Sequence, residues 1–172
     1  MMKKRQRNIW TALLCGVALA QPLAASAVCT PVTGQVLLVP DASCQVTAAF
    51  TDAAFVGTCF TVTTRGALNG TGYSGLTQEI VAGADGATTK TPSLLLESWG
   101  GSRQLLTART ILSTNKGDLR TADVVITSPM ATTEQLIVTG GTNGMAGATG
   151  SVVVDGNSIG LWANYSGTLC RP

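Results

Sequence analysis

The sequence predicts an all-β protein of antiparallel strands, arranged as a sandwich or a closed barrel, on three observations. From Val28 onward, short apolar and Thr-rich runs alternate with clusters of Gly, Asn, Asp or Ser, the pattern of many strands joined by turns. No long stretch shows convincing apolar periodicity of about 3.6 residues, although a short helix within residues 40–55 stays open as an alternative. A closed barrel leaves no adhesive sheet edge, which favours it for a chain so rich in strands.

Residues 1–27 have the order of a secretory signal peptide. The basic head "KKRQR" precedes an apolar run over residues 9–20 and the small-residue sequence "ASA", which ends at Ala27. The apolar run is shorter than the roughly 20 residues that span a bilayer as a helix. Cys15 suggests a lipid anchor instead, but Leu14 occupies the place where a small residue is expected. We therefore predict a cleaved signal peptide over 1–27, a single domain over 28–172, and a secreted or periplasmic location.

The charge and the missing histidine exclude several function classes. Removing residues 1–27 takes away four of the eleven basic residues, which leaves seven against nine acidic residues and a net charge of −2. With no Lys/Arg cluster left, neither nucleic acid nor an anionic membrane surface is expected as a partner, and no stable membrane insertion is expected. The chain has no histidine, so no Ser-His-Asp or Cys-His arrangement can form. Acid–base chemistry would fall to Asp, Glu, Tyr or Lys.

The cysteines agree with export. An even number in a small exported domain predicts two disulfides. Of the three possible pairings we prefer Cys29 with Cys44, which closes a short loop, and Cys59 with Cys170, which joins the first long strand to the last. Free buried thiols are the alternative. No metal site is predicted, because the chain lacks both a CxxC spacing and histidine.

Two predicted strands show strict period-two alternation. In "LLTARTIL", Leu106, Ala108, Thr110 and Leu112 share one face, and Arg109 lies on the other. In "LRTADVVIT", the face that carries Asp123 also carries Leu119, Thr121 and Val125. A half-buried antiparallel strand needs this alternation.

The stretch "GGTNGMAGATG", residues 140–150, predicts a tight reversal between two strands. It lacks the G-x-G spacing and the following helix of a dinucleotide site, and it lacks the Lys-Ser/Thr of a phosphate-binding loop. The residues that follow, "SVVVDG", have the composition of a strand. Gly and Asn tolerate the positive φ that such turns demand.

The same stretch resembles the glycine-rich hairpin of the allene oxide cyclase-like barrel group, which includes the dirigent proteins. The order of other segments is similar over roughly residues 60–170: "GTGYSG" early, "LTARTIL" in the middle, "NKGDLRTAD" as the next hairpin and "YSGTLC" near the close. The chain departs from the group at Asn143 and Gly144, and at Met145, where the group prefers an aromatic residue. The resemblance implies an eight-stranded antiparallel β-barrel, often a homo-trimer, with an apolar lumen. It carries over no catalytic residue.

Three residues are candidates for catalysis. Arg109 would bind an anion or a carbonyl if its face lines the lumen, with Asp123 as counter-charge, but it is an outer-wall charge if the apolar face of its strand points inward, which is the commoner arrangement. Glu79 and Glu97 are the carboxylates closest to apolar runs. A buried carboxyl has a raised pKa and can act as an acid near neutrality, although either glutamate can equally be a surface charge at a strand end.

Ligand-binding candidates are Tyr73, Trp99, Trp162 and Asp123. Tyr and Trp combine a large contact area with one hydrogen-bonding atom, which suits a pocket for a small molecule. The alternative for the aromatic residues is an ordinary place in the barrel wall or in a contact between subunits.

The sequence predicts an exported barrel that binds a hydrophobic small molecule. It would act as a cofactor-independent isomerase or cyclase, or as a dirigent-like protein that steers a reaction. The alternative is a structural or interaction module of the cell envelope or extracellular space, which the charged content of 12% suits. A fimbrial or adhesin-type subunit is a third possibility and requires an incomplete sheet.

Overall fold

A computed structural model describes residues 27–82, 88–91, 103–127, 132–156 and 158–172, without the side chains of residues 79–82, 88–91, 103 and 104. The predicted signal peptide lies outside the described residues, apart from its last residue, Ala27. Within these ranges no helix is long and apolar enough to cross a membrane.

The described chain forms nine strands and one short helix. The strands are β1 Val28–Pro40, β2 Cys59–Gly66, β3 Gly70–Ala82, β4 Thr88–Thr91, β5 Arg103–Thr114, β6 Gly117–Thr127, β7 Thr132–Gly141, β8 Thr149–Asp155 and β9 Ala163–Arg171. The helix α1, Val46–Ala49, is a single turn between β1 and β2. It corresponds to the short helix that the sequence left open for residues 40–55.

Eight of these strands close into a barrel. Their order around the ring is β2-β1-β9-β8-β7-β6-β5-β3, every neighbouring pair is antiparallel, and β3 pairs back with β2. The short β4 pairs with β3 at Glu79 to Ala82, past the part of β3 that contacts β2. The predicted eight-stranded antiparallel barrel is confirmed, and a closed ring has no incomplete sheet of the kind a fimbrial-type subunit requires.

Alternation along each strand fills the barrel interior. The apolar face of β5 points inward, and its members Leu106, Ala108 and Leu112 are between 4% and 7% exposed. The main interior cluster draws on β1, β2 and β5 to β9, and on two connections at one end of the barrel. Its members are Val32, Val36, Val62, Leu68, Leu112, Leu119, Val138, Met145, Ala148, Val152, Val154, Ala163, Tyr165 and Leu169. Apolar burial of this kind, worth about 25 cal/mol per Å², is the main stabilising contribution to the fold.

The connection between β1 and β2 packs on the outside of the barrel. Val46 of α1 and Phe50 form a buried cluster with Cys59, and Tyr73 and Ile111 pack against it from the outer faces of β3 and β5. This connection therefore covers one part of the barrel wall.

The two disulfides join Cys29 to Cys170 and Cys44 to Cys59. The predicted number is confirmed, but the preferred pairing of Cys29 with Cys44 and of Cys59 with Cys170 is wrong. The reason is strand register: β1 pairs with β9 so that Cys29 stands directly opposite Cys170, whereas Cys59 begins β2 at the other end of the barrel. Two disulfides indicate an oxidising, extracytoplasmic environment.

The glycine-rich stretch forms the predicted reversal between β7 and β8. A 3-10 turn covers Asn143–Met145, and Asn143 has a φ of 51°. Gly150 has a φ of 143°, and a Cβ there would meet the backbone carbonyl of Thr168 on β9. Met145 folds back into the interior, where it is 3% exposed. The turn thus reverses the chain and also helps to fill one end of the barrel.

Candidate functional site

The two ends of the barrel differ. At the hairpin end, tight turns join β2 to β3, β5 to β6 and β7 to β8. The opposite end, here the loop end, is where β1 finishes at Pro40 and β8 finishes at Asp155. The buried polar side chains of the candidate site described next lie between these ends, on the inner faces of strands.

Apolar side chains and one tyrosine fill the interior near the hairpin end. Tyr165 is 4% exposed, and its hydroxyl accepts a hydrogen bond of 2.8 Å from the backbone amide of Leu68. Burial raises the pKa of Tyr165 above its ordinary value of 10.0, against the opposing effect of that hydrogen bond. Leu68, Met145 and Leu169 pack into the same cluster. This end of the lumen is therefore closed by a fixed set of side chains.

A small cavity of about 50 Å³ lies in the middle of the barrel. It is lined by Val36, Val62, Thr64, Leu68, Thr110, Leu112, Leu119, Thr121, Leu136, Val152, Val154 and Tyr165. Pockets that enclose a drug-sized ligand have volumes of about 300–1,000 Å³. The cavity as it stands therefore has room for one small chemical group or a few waters.

A chain of buried polar groups stands beside this cavity. Ser74, Thr110 and Asp123 lie on the inner faces of β3, β5 and β6. The Thr110 hydroxyl is 2.9 Å from the Ser74 hydroxyl and donates to the Asp123 carboxylate at 2.6 Å. Asp123 is 2% exposed, and three of its neighbours, Thr110, Thr121 and Leu136, line the cavity. A carboxyl group is therefore held inside the barrel.

Two buried oxygens of this group have no hydrogen-bond partner among the described residues. They are Oδ1 of Asp123 and the hydroxyl of Thr121. Leaving a buried polar atom unpaired costs about 1–3 kcal/mol, and more for a charged group. These two atoms are therefore the ones most in need of a partner that the described chain does not supply.

Glu134 is the second carboxyl of the site. In the β6–β7 register Glu134 stands opposite Val125 and Asp123 stands opposite Leu136, so the two acids are diagonal neighbours on the inner face. Glu134 lies one step nearer the loop end and retains some exposure. Two carboxyls on adjacent strands thus face the same interior.

The surroundings of the two acids raise the pKa of both carboxyl groups, to different values. Burial raises the pKa of Asp123 from 3.8 to about 6, although the Thr110 hydrogen bond and the charge of Arg109 oppose this. The nearby Thr121 hydroxyl also lowers the Asp123 pKa, although it forms no hydrogen bond of normal geometry. Burial, followed by the negative charge of Asp123, raises the pKa of Glu134 from 4.5 to about 8.

Because both pKa values are raised and the two carboxyls repel each other when both are ionised, the pair favours holding one shared proton near neutral pH. The ionised member can accept a proton or bind a hydrogen-bond donor, and the protonated member can donate its proton. Pairs of acids whose environments push their pKa values apart are the usual source of a general base and a general acid in one site.

Of the sequence-predicted site residues, Asp123 lies inside the barrel. Tyr73 packs on the outer wall beneath the α1 connection. Arg109 alternates with the inward Thr110 and so lies on the outer face of β5, as expected if the apolar face of that strand points inward. Trp162 is 39% exposed, and the Arg65 guanidinium lies over its ring at 4.1 Å from the centroid.

The remaining candidates fall wholly or partly outside the described residues. Glu97 and Trp99 lie outside the described residues. Glu79 pairs in register with Thr91 of β4 and Leu106 of β5, and its side chain is outside the description.

Sequence reasoning missed Glu134. The available signal was the alternation along β7, which places Glu134 on the same face as the apolar Leu136 and Val138. The signal was weak because Ile137, on the other face, is also apolar and is 42% exposed on the outer wall. Among the described residues, no group of three or more His, Cys, Asp or Glu is placed to hold a metal ion.

Comparisons with models of protein families, with curated proteins and with solved structures found no match for this chain.

Proposed function

We propose that this protein is an exported barrel, secreted or periplasmic, that receives part of a hydrophobic small molecule in its lumen and transfers protons on it without a cofactor. The observation that carries the proposal is the buried Asp123, whose Oδ1 lacks a partner among the described residues, next to a second inward carboxyl on Glu134. The allene oxide cyclase-like resemblance is consistent with it at the level of the fold.

The cost of the acid pair supports a functional role. A barrel that served only as a scaffold would be more stable with an apolar residue in place of Asp123, because a buried carboxyl without full hydrogen bonding is destabilising. Strongly perturbed pKa values in a concave, mostly apolar surrounding are typical of catalytic sites.

The geometry fits an isomerisation. The Asp123 carboxylate would remove a proton from a carbon next to a carbonyl, while the Glu134 acid would give its proton to a second position on the same substrate. The proton on Asp123 then returns to Glu134, so that the pair is reset and no electrons enter or leave. A small ketone with an acidic C–H bond is the simplest substrate of this class.

The size of the cavity limits what the lumen holds. The reacting group would occupy the space beside Thr121, and the apolar remainder would contact Leu76, Leu106 and Val125, which lie nearer the loop end. These three residues pack against one another, so binding requires them to separate.

Nile red, a neutral dye that fluoresces in apolar surroundings, tests the binding. We expect saturable binding to the wild-type protein and at least about tenfold weaker binding to Val152→Phe, which fills the cavity. Val153→Phe is the matched control, because Val153 lies on the opposite face of β8 and should leave binding unchanged. Absence of saturable binding to the wild-type protein contradicts the proposal.

Deuterium uptake by small cyclic ketones in D₂O tests the proton transfer. The wild-type protein should accelerate uptake, and Asp123→Asn should reduce that rate by about 100-fold or more, the usual contribution of a positioned base. Asp155→Asn, which removes an exposed carboxylate from β8, should not change the rate. Equal rates for Asp123→Asn and the wild type would remove Asp123 from the reaction.

A structural or interaction module remains the second candidate. It is favoured by the packing, because the interior cluster leaves a central cavity of only about 50 Å³. A wild-type protein that binds no apolar dye would support this candidate.

A further inference from the structure

A second, larger recess lies at the hairpin end of the barrel, away from the acid pair. It has a volume of about 380 Å³ and is bounded by the β2–β3 turn, the β5–β6 turn and the outer ends of β1 and β9. Its polar rim includes Thr30, Asn69, Asn115, Lys116 and Arg171. Its floor is apolar, because Leu68 and Met145, which line it, both belong to the buried interior cluster.

The charged residues that are described in the lining of this recess are all basic. Lys116 and Arg171 line it, and no carboxylate is among the described residues that form its lining. The nearest acid along the chain, Asp118, accepts a hydrogen bond of 2.7 Å from the Ser113 hydroxyl across the β5–β6 hairpin and does not line the recess. Two basic residues therefore line the same recess in a chain whose charge is otherwise close to balanced.

The rim is held in place by the fold. The backbone amide of Lys116 donates to the Thr114 hydroxyl at 3.1 Å, and its carbonyl accepts from the Gly144 amide at 2.8 Å. Arg171 directly follows Cys170, which the disulfide ties to β1. Rim groups on a fixed backbone lose less freedom on binding a ligand, which favours affinity.

We propose that this recess binds a small organic anion, a carboxylate or a phosphate ester, with its charged end between Lys116 and Arg171. The Arg171 guanidinium can donate two parallel hydrogen bonds to a carboxylate or phosphate, and the Lys116 ammonium adds a compact positive charge. The side-chain amides of Asn69 and Asn115 supply further donors at the rim. The apolar floor accepts a small hydrophobic part of the same ligand, and the volume lies within the range of small-molecule sites.

Titration of the ¹⁵N-labelled, disulfide-intact protein tests the site, with benzoate and inorganic phosphate as separate probes at about 0.01 M salt, where the Debye length is about 30 Å. We expect saturable amide shifts at residues 67–70 and 115–117 with at least one probe. The probe that binds more tightly identifies the anion type. Raising the salt to about 1 M should abolish binding, because the Debye length falls to about 3 Å.

Substitutions localise the effect. Lys116→Gln and Arg171→Gln should each weaken binding by about tenfold, whereas Lys116→Arg should retain it, and the amide spectrum itself shows whether each variant is folded. The matched control is Arg65→Gln, because Arg65 is stacked on Trp162 at the outer wall. Asp123→Asn should not alter binding here, so this proposal and the proposed function fail independently. The proposal is overturned if neither probe gives saturable shifts, or if Arg65→Gln weakens binding as much as Lys116→Gln.

Discussion

Replacing Asp123 with asparagine should change how the stability of the barrel depends on pH. Folding raises the pKa of Asp123 from 3.8 to about 6, so the folded state binds the proton more tightly than the unfolded chain. A raised pKa gives stability that is complete below the unfolded value and is lost as the pH rises through the folded value. The wild-type protein should therefore lose the contribution of Asp123 between about pH 4 and pH 6, whereas the side-chain amide of the Asp123→Asn variant does not titrate and cannot contribute to that loss.

The magnitude follows from the two pKa values. Each pH unit between them corresponds to about 1.4 kcal/mol, so charging Asp123 in the barrel costs about 3 kcal/mol. Asp123 is 2% exposed, which means that little of this cost is relieved by solvent. The cost is a large fraction of the roughly 5–15 kcal/mol that is typical of small domains. At least this difference should separate the two proteins at pH 8, because removing the charge of Asp123 also makes Glu134 easier to ionise.

Urea unfolding from pH 4 to pH 8, followed by tryptophan fluorescence with the disulfides intact, measures the effect. Asp123→Asn should be close to the wild type at pH 4 and more stable by at least about 3 kcal/mol at pH 8. Glu134 should still titrate in this variant, at a lower pH than in the wild type, because the negative charge of Asp123 contributes to its raised pKa. A ¹³C signal from the Glu134 carboxyl would follow this shift.

Asp155→Asn is the control for a general effect of removing a carboxylate, because Asp155 is exposed near the end of β8. Its unfolding curves should run parallel to those of the wild type. If the unfolding free energy of Asp123→Asn also runs parallel to that of the wild type, the burial of a charged carboxyl in the lumen is refuted. It is equally refuted if the stability of the variant relative to the wild type falls from pH 4 to pH 8.

Two further predictions concern the closed end and the covalent links. Replacing both cysteines of the Cys29–Cys170 disulfide with serine should destabilise the barrel by about 5 kcal/mol, and the same change at the Cys44–Cys59 disulfide by about 3 kcal/mol. The difference arises because the disulfides join residues separated by 141 and 15 positions, and the longer loop restricts the unfolded chain more. Equal losses of unfolding free energy in urea would contradict this chain-entropy reasoning. Tyr165→Phe should cost about 1–3 kcal/mol by the same measurement, because the buried Leu68 amide loses its acceptor.

The strands were predictable because their signal is local. The face of β5 that carries Leu106 and Leu112 was readable from alternation, and so was the expectation that Arg109 points outward when that face is buried. The reversal at residues 140–150 was readable because Gly and Asn meet a positive φ at low cost. Successive side chains of a strand lie on opposite faces of the sheet, and this does not depend on distant parts of the chain.

The acid pair was not predictable, because it depends on which strands become neighbours. Asp123 was a candidate as a counter-charge to Arg109, and the charge of Arg109 does lower its pKa. The second carboxyl near it, Glu134 on β7, is brought diagonal to it by the β6–β7 register. Tyr73 and Trp162 are residue types that often line pockets, but both lie on the outer wall. Tyr73 packs against the α1 connection, and Trp162 lies beneath Arg65.

The sequence by itself determined that this chain forms antiparallel strands with one apolar face each, carries an even set of cysteines outside its first 27 residues, and contains no histidine for catalysis. The tertiary structure decided that Cys29 meets Cys170, that Asp123 and Glu134 lie on the inner face of neighbouring strands, and that two basic residues line one recess at the hairpin end. The physical reason is that alternation is fixed over a few residues along the chain. Contacts between strands depend on register and ring closure, which join residues more than a hundred positions apart.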